Sequence, residues 1–274
     1  MANLFSICEA FYTIRQTPQR LDIMLEQKGT TNICGFDADS IIVRGKDLCE
    51  DLIGKVSFTQ MIYLQALGQE PTDAQCKIMD AVLVTIMEHG LVPSAIATRL
   101  TYYGAPESFT GAIAAGLLGV GDRYAGTASE CGAVLERIVA AEDQEAAVLT
   151  EIQQYRDIRR PVPGFGHPIH GDLDPRVKRL IAVAESLEVD GKYIRAVKLL
   201  ELGLQTTLKK NLVTNVSAAI GAVLAEAGVP SKMMRGVILT ARCAGLVGHL
   251  FEEMNNPAGH PLWIGAQAAV DYQG

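Results

Sequence analysis

The sequence predicts an all-α protein, with one large domain or a large helical domain and a smaller partner. Apolar residues recur about every 3.6 positions along most of the chain, which is the spacing of an amphipathic helix. The alternating pattern of strands is nearly absent, and only short apolar pieces within 33–50 suggest a small hairpin or plain coil. The chain has 274 residues, of which 49% are hydrophobic, so it can bury a sizeable core.

Taken in order, the helices are bounded by ordinary start and stop signals. A break at Gly29-Thr30-Thr31-Asn32 ends an amphipathic N-terminal stretch, Pro71-Thr72-Asp73 caps a helix, and Gly228-Val229-Pro230 separates the last two helices. No helix is predicted after residue 254. The predicted helices cover 57–67, 74–87, 94–102, 108–119, 129–141, 144–156, 175–187, 190–208, 213–227 and 231–254.

Composition excludes several classes of protein. The net charge is −7 and the basic residues are scattered, so nothing indicates a nucleic-acid binder. No apolar run reaches the roughly 18 residues of a membrane span, and residues 1–16 lack the basic head and apolar core of a signal peptide. The six cysteines show neither C-x-x-C nor zinc spacing, so we expect reduced, mostly buried thiols in a cytoplasmic protein.

The stretch 164–176 is the first candidate site. It opens with Gly164-Phe165-Gly166-His167, in which the glycines permit a tight bend and a close approach by a ligand, and the histidine can exchange a proton near neutral pH. Asp174-Pro175 then has the pattern of an N-cap and first helical residue, with Arg176 in the first turn. Helix N-termini and guanidinium groups both favour anions, so the stretch indicates a carboxylate or phosphate site. The alternative is a loop with a structural histidine and an exposed arginine.

The other histidines are weaker candidates. His89 follows the helix predicted at 74–87, where the helix dipole favours a cation, or else it only makes a capping hydrogen bond. His249 and His260 are more typical of satisfied core histidines than of catalysts. No histidine–cysteine set has metal-ligand spacing, so no metal site is expected.

Two further features indicate either a site for an anionic ligand or a purely structural role. Residues 119–126 form a glycine-rich break in which Asp122 and Arg123 can pair, and this break is either a ligand loop or a helix–helix turn. Arg242 lies within an otherwise apolar helix. On the buried side it requires a carboxylate partner, and otherwise it lies on the polar face.

Together these stretches resemble the citrate synthase superfamily, and within it the citryl-CoA lyase branch, which includes the C-terminal module of ATP citrate lyase. The similarity extends from about residue 43 to residue 247, and the order and spacing of the motifs make it specific. Three motifs resemble short family patterns: Glu88-His89-Gly90 resembles DHG, the 164–176 stretch resembles GxGH…DPR, and Asn215-Val216-Ser217 resembles NVD. Gly121-Asp122-Arg123 resembles the lyase form of a motif that carries a histidine in citrate synthases. Arg242 lies where the family has an arginine that binds a substrate carboxylate.

This resemblance implies an all-α fold in which a smaller domain closes over coenzyme A. We assign the large helical domain to residues 1–125 and 216–274 and the small one to residues 126–215. The family also implies a homodimer or a dimer of dimers, a coenzyme A thioester as substrate rather than a tightly bound cofactor, and a di- or tricarboxylate as second ligand.

The resemblance also implies roles for individual residues. His167 would act on the tertiary hydroxyl of the substrate or on its precursor carbonyl oxygen. The residues implied around the hydroxy-tricarboxylate are His89, Arg123, Arg176 and Arg242, and those implied at coenzyme A are Gly164, Gly166, Lys209 and Lys210. The two lysines are equally explained as solvated side chains.

Two departures from the family pattern bear on activity. The histidine that citrate synthases place at the thioester oxygen aligns with Tyr124, which favours a lyase over a synthase. The family aspartate that moves the proton at the acetyl methyl carbon is Ser217 here, and a serine hydroxyl has no acidity useful near pH 7. Losing a general acid–base group costs about 10² to 10⁴ in rate. Replacement candidates are His170, Asp172 and Asp174.

The expected function is therefore cleavage of citryl-CoA, or of a close hydroxyacyl-CoA analogue, to acetyl-CoA and oxaloacetate. One alternative is condensation of acetyl-CoA with a 2-oxo acid, as in citrate synthase. The other is a protein that binds coenzyme A or a carboxylate without turnover, which the serine at position 217 motivates.

Overall fold

The computed structural model describes residues 29–122, 126–166, 174–209 and 212–274. The chain divides into two units, Met1–Glu70 and Pro71–Gly274, which are described separately. Within the described ranges the chain is predominantly helical, which confirms the predicted all-α class. No helix in these ranges is both long and apolar enough to cross a membrane.

Within residues 29–70, the first unit contains a small antiparallel sheet, a π-helical turn at Leu48–Leu52 and one α-helix. Strands β1 (Cys34–Phe36), β2 (Ile41–Val43) and β3 (Lys46–Asp47) pair in chain order, so the hairpin rather than the coil is present at 33–50. Helix α1 (Phe58–Leu67) begins with a capping box between Ser57 and Gln60. Val43, Leu52 and Leu64 form the core of this unit.

Ten helices make up the described part of the second unit. They are α2 (Asp73–Met87), α3 (Pro93–Gly104), α4 (Phe109–Leu118), α5 (Thr127–Ala140), α6 (Gln144–Asp157), α7 (Pro175–Ser186), α8 (Lys192–Leu208), α9 (Val216–Glu226), α10 (Ser231–Asn255) and α11 (Gly259–Ala269). The predicted cap before α2 is confirmed, since Thr72 and Gln75 form a capping box.

Helix α9 is the centre of the second unit. It packs against α2, α5, α7, α8 and α10, and nine of its eleven residues are buried. Small residues allow this close packing: a Cβ on Gly221 would lie 3.1 Å from the Ala128 carbonyl oxygen and 3.1 Å from the Gly132 nitrogen. A helix that is apolar on every side is stable only in such a position.

The predicted helices agree with the structure to within two residues at each end, with two exceptions. Helix α9 was expected from 213 but begins at Val216, because Thr214 forms a β-bridge with Phe165 and Asn215 caps the helix. Helix α11 was not predicted. The N–H groups at its start, on Ala258 and Gly259, donate to the carboxylate of Glu253 near the end of α10, five and six residues earlier, which takes the place of an N-cap side chain.

The expectation of mostly buried thiols is wrong for the described cysteines, although all five are free. Cys34 is exposed because it lies on β1, none of whose residues is covered, and Cys49 is exposed in the turn after β3. Cys131 on α5 is buried, and burial raises the pKa of its thiol to about 12, which makes it unreactive at neutral pH.

Candidate active site

The bend at 164–166 is fixed to the start of α9 by the Phe165–Thr214 bridge and by Asn215. Its backbone N–H donates to the Gly164 carbonyl oxygen at 2.9 Å, and its side-chain Nδ2 donates to the Gly166 carbonyl oxygen at 2.9 Å. Its Oδ1 accepts from the Ser217 N–H at 2.9 Å, which caps the helix. The bend and the helix N-terminus therefore form one connected structure.

Both glycines of the bend have the predicted special conformations. Gly164 has φ +91° and Gly166 has φ +79°, in the left-handed region that favours glycine. A Cβ on Gly164 would also lie 2.6 Å from the Ala218 Cβ and 2.9 Å from the Cys131 Sγ. Only glycine fits here, because the backbone of the bend touches α9 and α5 directly.

Ser217 lies in the first turn of α9, next to this bend, and is half-buried. The structure thus places a hydroxyl at a helix N-terminus, where the family motif has a carboxylate. A neutral group gains less from the positive end of the helix dipole than an anion does.

The N-terminus of α7 is capped as predicted, but Arg176 is engaged there. Asp174 is 2% exposed, and its carboxylate accepts from the Arg176 backbone N–H at 3.0 Å, from Nε at 3.0 Å and from Nη2 at 2.8 Å. This pair occupies one edge of the guanidinium and leaves its remaining N–H groups for another ligand. Because the Asp174 carboxylate is bound to Arg176, Asp174 is a weaker candidate for a general base.

A second set of polar groups lies where α2 ends. The exposed His89 follows this end, and Glu88 Oε1 accepts from the His89 N–H at 2.8 Å and from the Gly90 N–H at 2.6 Å. Glu88 Oε2 lies 2.9 Å from Nε2 of His249 on α10, although the direction of that contact is not that of a hydrogen bond.

His249 connects this set to a buried ion pair. Its Nδ1 accepts from Arg99 Nε at 3.0 Å, while Arg99 Nη1 donates to Glu253 at 2.7 Å and Nη2 pairs with Glu252. Burial works to lower the pKa of Arg99, but the hydrogen bonds to Glu253 and Glu252 outweigh it and raise the pKa. Arg99 is therefore a permanently charged anchor.

Arg242 lies on the buried side of α10, which settles the alternative left open by the sequence. It is 8% exposed, and no described residue forms a hydrogen bond or an ion pair with it. Burial lowers the pKa of its guanidinium, and the negative charge of Glu88 opposes that shift. A buried guanidinium that has no partner in the described part of the chain is suited to bind a carboxylate ligand.

The structure brings some of the predicted residues together. Gly164, Gly166 and Ser217 meet through Asn215, and His89 is joined through Glu88 to the face of α10 that carries Arg242. Helix α7, which carries Arg176, packs against both α9 and α2.

Other predicted residues are not brought together or lie elsewhere. Lys209 is exposed and has φ +51° just after α8. His260 is exposed rather than in the core, because it lies on the outer side of α11, where its Nδ1 is 3.1 Å from the Tyr103 hydroxyl. Outside the described residues are His167, Arg123, Lys210, Tyr124, His170 and Asp172.

The expected pairing of Asp122 with Arg123 stays a prediction, because Arg123 lies outside the described residues. Asp122 Oδ1 lies 2.6 Å from Nη1 of Arg235 on α10. Sequence reasoning missed the roles of Asn215 and His249. A usable signal existed for the histidine, because His249 follows Arg242 by seven positions and therefore lies on the same face of the helix.

Comparison with known proteins shows the family to which the chain belongs. The family model for the C-terminal domain of citrate synthase matches residues 55–262. The chain therefore belongs to the citrate synthase family.

Among solved structures, the chain is similar to citryl-CoA lyase from Hydrogenobacter thermophilus, with a TM-score of 0.80 and 31% identity over 90% of this chain and 95% of that one. It also shares the fold of an ATP citrate lyase from Methanosaeta concilii that was solved with (3S)-citryl-CoA. That TM-score is 0.71, at 19% identity over 94% of this chain and 44% of that one.

The curated relatives are longer than this chain. It spans 65% of the length of a Mycobacterium tuberculosis relative to which it is 28% identical over 262 residues, 92% of this chain. A citrate synthase from Saccharolobus solfataricus is 22% identical over 201 residues, which are 72% of this chain and 52% of that protein.

Proposed function

We propose that this protein cleaves citryl-CoA, or a closely related hydroxyacyl-CoA, to acetyl-CoA and an oxo acid such as oxaloacetate. The observation that carries the proposal is the similarity to a citryl-CoA lyase over nearly the whole length of both chains. The buried guanidinium of Arg242 supports it, because a tricarboxylate-derived substrate supplies the anionic partner that this group lacks among the described residues.

The proposed reaction needs no external oxidant or reductant. A base, for which His167 is the candidate, removes the proton of the tertiary hydroxyl. The C–C bond then breaks as the hydroxyl carbon becomes a carbonyl, and the bond electrons move to the acetyl methyl carbon as an enolate. Protonation of that carbon completes acetyl-CoA. Donors aimed at the thioester oxygen would stabilise the enolate charge.

Arg176 and Arg242, with His89, are the proposed carboxylate-binding groups. Arg176 is already held by Asp174, which fixes the direction of its remaining donors and reduces the entropy lost on binding. Gly164, Gly166, Lys209 and Lys210 remain the proposed contacts to coenzyme A, and Arg123 remains a proposed substrate contact.

The domain assignment stays a proposal: residues 126–215 as the smaller domain, with residues 1–125 and 216–274 as the larger one. A homodimer or a dimer of dimers is proposed on the same family basis.

The test is release of oxaloacetate from citryl-CoA by the purified protein, followed by NADH-linked reduction of the product. We expect turnover that falls by about 10² or more in His167→Ala, because that change removes the candidate base. Arg242→Met, which has similar bulk and no charge, should raise the KM for citryl-CoA. Wild-type release no faster than that of His167→Ala would overturn the lyase proposal.

Ser217 favours a second candidate, a protein that binds coenzyme A or a carboxylate without turnover. Calorimetry that shows coenzyme A binding, together with no turnover on a panel of hydroxyacyl-CoA thioesters, would support it. Net condensation is distinguished by thiol release from acetyl-CoA and oxaloacetate, which the lyase proposal expects to be slow.

A further inference from the structure

The Glu88 carboxylate lies between two positively polarised groups on one face of α10. Arg242, Gly245 and His249 are spaced by three and four residues, so they follow one another along that face. The C-terminal end of α2 packs against α10 at Gly245. A Cβ on Gly245 would lie 2.2 Å from the Met87 carbonyl oxygen and 3.5 Å from Glu88 Oε2. Glu88 is thus placed over Gly245, one turn from Arg242 and one turn from His249.

Both oxygens of Glu88 have close contacts with groups other than Arg242. Oε1 accepts from the two N–H groups after α2, and Oε2 lies 2.9 Å from His249 Nε2. The Arg242 guanidinium is close enough for the Glu88 charge to act on its pKa, yet the two form no ion pair. A carboxylate and a buried guanidinium this close attract each other strongly, so the other contacts of Glu88 oppose an ion pair with Arg242.

His249 has the protonation that this arrangement requires. Its Nδ1 accepts from Arg99 Nε, and an arginine nitrogen is always a donor, so in a neutral ring the proton is on Nε2. The Nε2 atom lies 2.9 Å from Glu88 Oε2, a close electrostatic contact whose direction is not that of a hydrogen bond. Arg99 is fixed in turn by Glu253, at 2.7 Å, and by Glu252, so the ring orientation is set by a buried ion pair.

We propose that His249 is a positioning residue that holds the Glu88 carboxylate away from Arg242, which leaves the guanidinium free for a carboxylate of the substrate. This inference rests on the proposed role of Arg242 in substrate binding. Without His249, the Glu88 carboxylate swings onto Arg242 and competes with the substrate. The apparent affinity then falls by the fraction of molecules in which Arg242 is still free.

The test uses His249→Asn, which separates the two contacts of the imidazole. The asparagine Oδ1 occupies the region of Nδ1 and still accepts from Arg99, but the side chain ends short of Glu88. If Glu88 then occupies Arg242 about nine-tenths of the time, KM for citryl-CoA rises about tenfold while kcat changes less than about threefold.

A second substitution distinguishes competition from loss of structure. Glu88→Gln in the His249→Asn background removes the competing charge but keeps an oxygen for the two N–H groups after α2. KM should return to within about threefold of wild type. A merely structural defect would not be repaired by a second change. His249→Gln, whose amide reaches the Glu88 contact, should stay nearer to wild type than His249→Asn.

The matched control is His260→Asn, the same exchange at an exposed histidine on α11, which should leave KM unchanged. An unchanged KM in His249→Asn, or a raised KM that Glu88→Gln does not restore, would overturn the proposal.

Two readouts do not depend on turnover. Citrate affinity by calorimetry should follow the same order of variants, and a crystal structure of His249→Asn should show the Glu88 carboxylate within ion-pair distance of Arg242. If the wild type does not release oxaloacetate, the proposed function fails, while these measurements still decide the role of His249. A Glu88 carboxylate that keeps its wild-type position in His249→Asn contradicts the inference.

Discussion

Glu253 illustrates how much one buried carboxylate holds in place. Its side chain is 2% exposed, and it accepts from Arg99 Nη1 at 2.7 Å, from the Ala258 N–H at 2.9 Å and from the Gly259 N–H at 2.6 Å. The carboxylate therefore joins α3, α10 and the start of α11. Burial alone would raise its pKa, but the Ala258 N–H, the Arg99 guanidinium and the Gly259 N–H outweigh it and lower the pKa below 4.5.

The lowered pKa of Glu253 determines how this carboxylate makes stability depend on pH. A carboxyl group with a lowered folded pKa contributes stability above its ordinary value, and the contribution is lost as pH falls through the folded value. We expect Glu253→Gln to cost about 3 kcal/mol at pH 7, since it leaves the Arg99 charge less compensated. The difference from wild type should narrow below about pH 4.

Urea unfolding of both proteins between pH 3 and pH 7 measures this difference. Glu252→Gln is a suitable control, because the other carboxylate paired with Arg99 is 58% exposed and should contribute little. A gap between wild type and Glu253→Gln that is constant with pH would contradict the assignment.

For individual residues, the sequence identifies candidate site residues but not the groups that they contact. The arginine in an apolar run marks position 242 as unusual, yet its burial depends on where α2 ends against α10. The bend glycines are predictable from type alone. The engagement of Arg176 by its own N-cap, Asp174, is not, because the same residues are compatible with a guanidinium directed at the loop.

Among the elements, α10 shows how close packing and site geometry depend on one another. Gly245 allows the helix to approach the last carbonyl of α2, so a Cβ there would force the two elements apart. We expect Gly245→Ala to cost about 1–3 kcal/mol, because the strain of overpacking exceeds the gain in helix propensity. It should also raise KM, since Glu88 and His89 directly follow α2.

The matched control is Gly248→Ala on the same helix. That glycine is exposed and has nothing within 4 Å of a Cβ, so alanine should stabilise by about 0.5–1 kcal/mol. Urea midpoints and KM for both variants check the prediction, which fails if the two substitutions have the same effect.

The helices themselves are largely predictable, because caps and apolar periods are local signals. Thr72 and Asp174 cap α2 and α7 as expected. Errors arise at two helix starts. Phe165 pairs with Thr214, which is far away in the sequence, and α9 therefore begins later than its apolar pattern predicts. Glu253 on α10 caps α11 from five and six residues before the N–H groups that it accepts from, which is not the spacing of an ordinary N-cap.

For the whole molecule, the ordered set of motifs identifies the family, and the family model and structural similarity confirm it. The sequence motifs do not predict how the site residues come together in space. This convergence requires α2, α7, α9 and α10 to meet, which follows from packing against α9 rather than from any motif. Whether His167 and the two arginines meet at one ligand stays a prediction.

Ligand binding should be visible as stability of the whole chain. A ligand at 100 times its Kd stabilises a protein by about 2.7 kcal/mol, which is about 5–10 °C in Tm for a protein of this size. We expect shifts of this order with citrate and with coenzyme A in thermal denaturation. Arg242→Met should lose the citrate shift and keep the coenzyme A shift, whereas equal shifts in both proteins would argue against a carboxylate at Arg242.

The near-complete burial of α9 has a consequence for biosynthesis. The segment that fills the middle of the molecule, 216–226, is synthesised after α2, α5, α7 and α8. Until then α2, α5, α7 and α8 have no common partner, and their contacts with it span long stretches of sequence, which slows folding. The growing polypeptide must keep these apolar surfaces from aggregating until 216–226 has been synthesised, so the core cannot assemble before that segment is available.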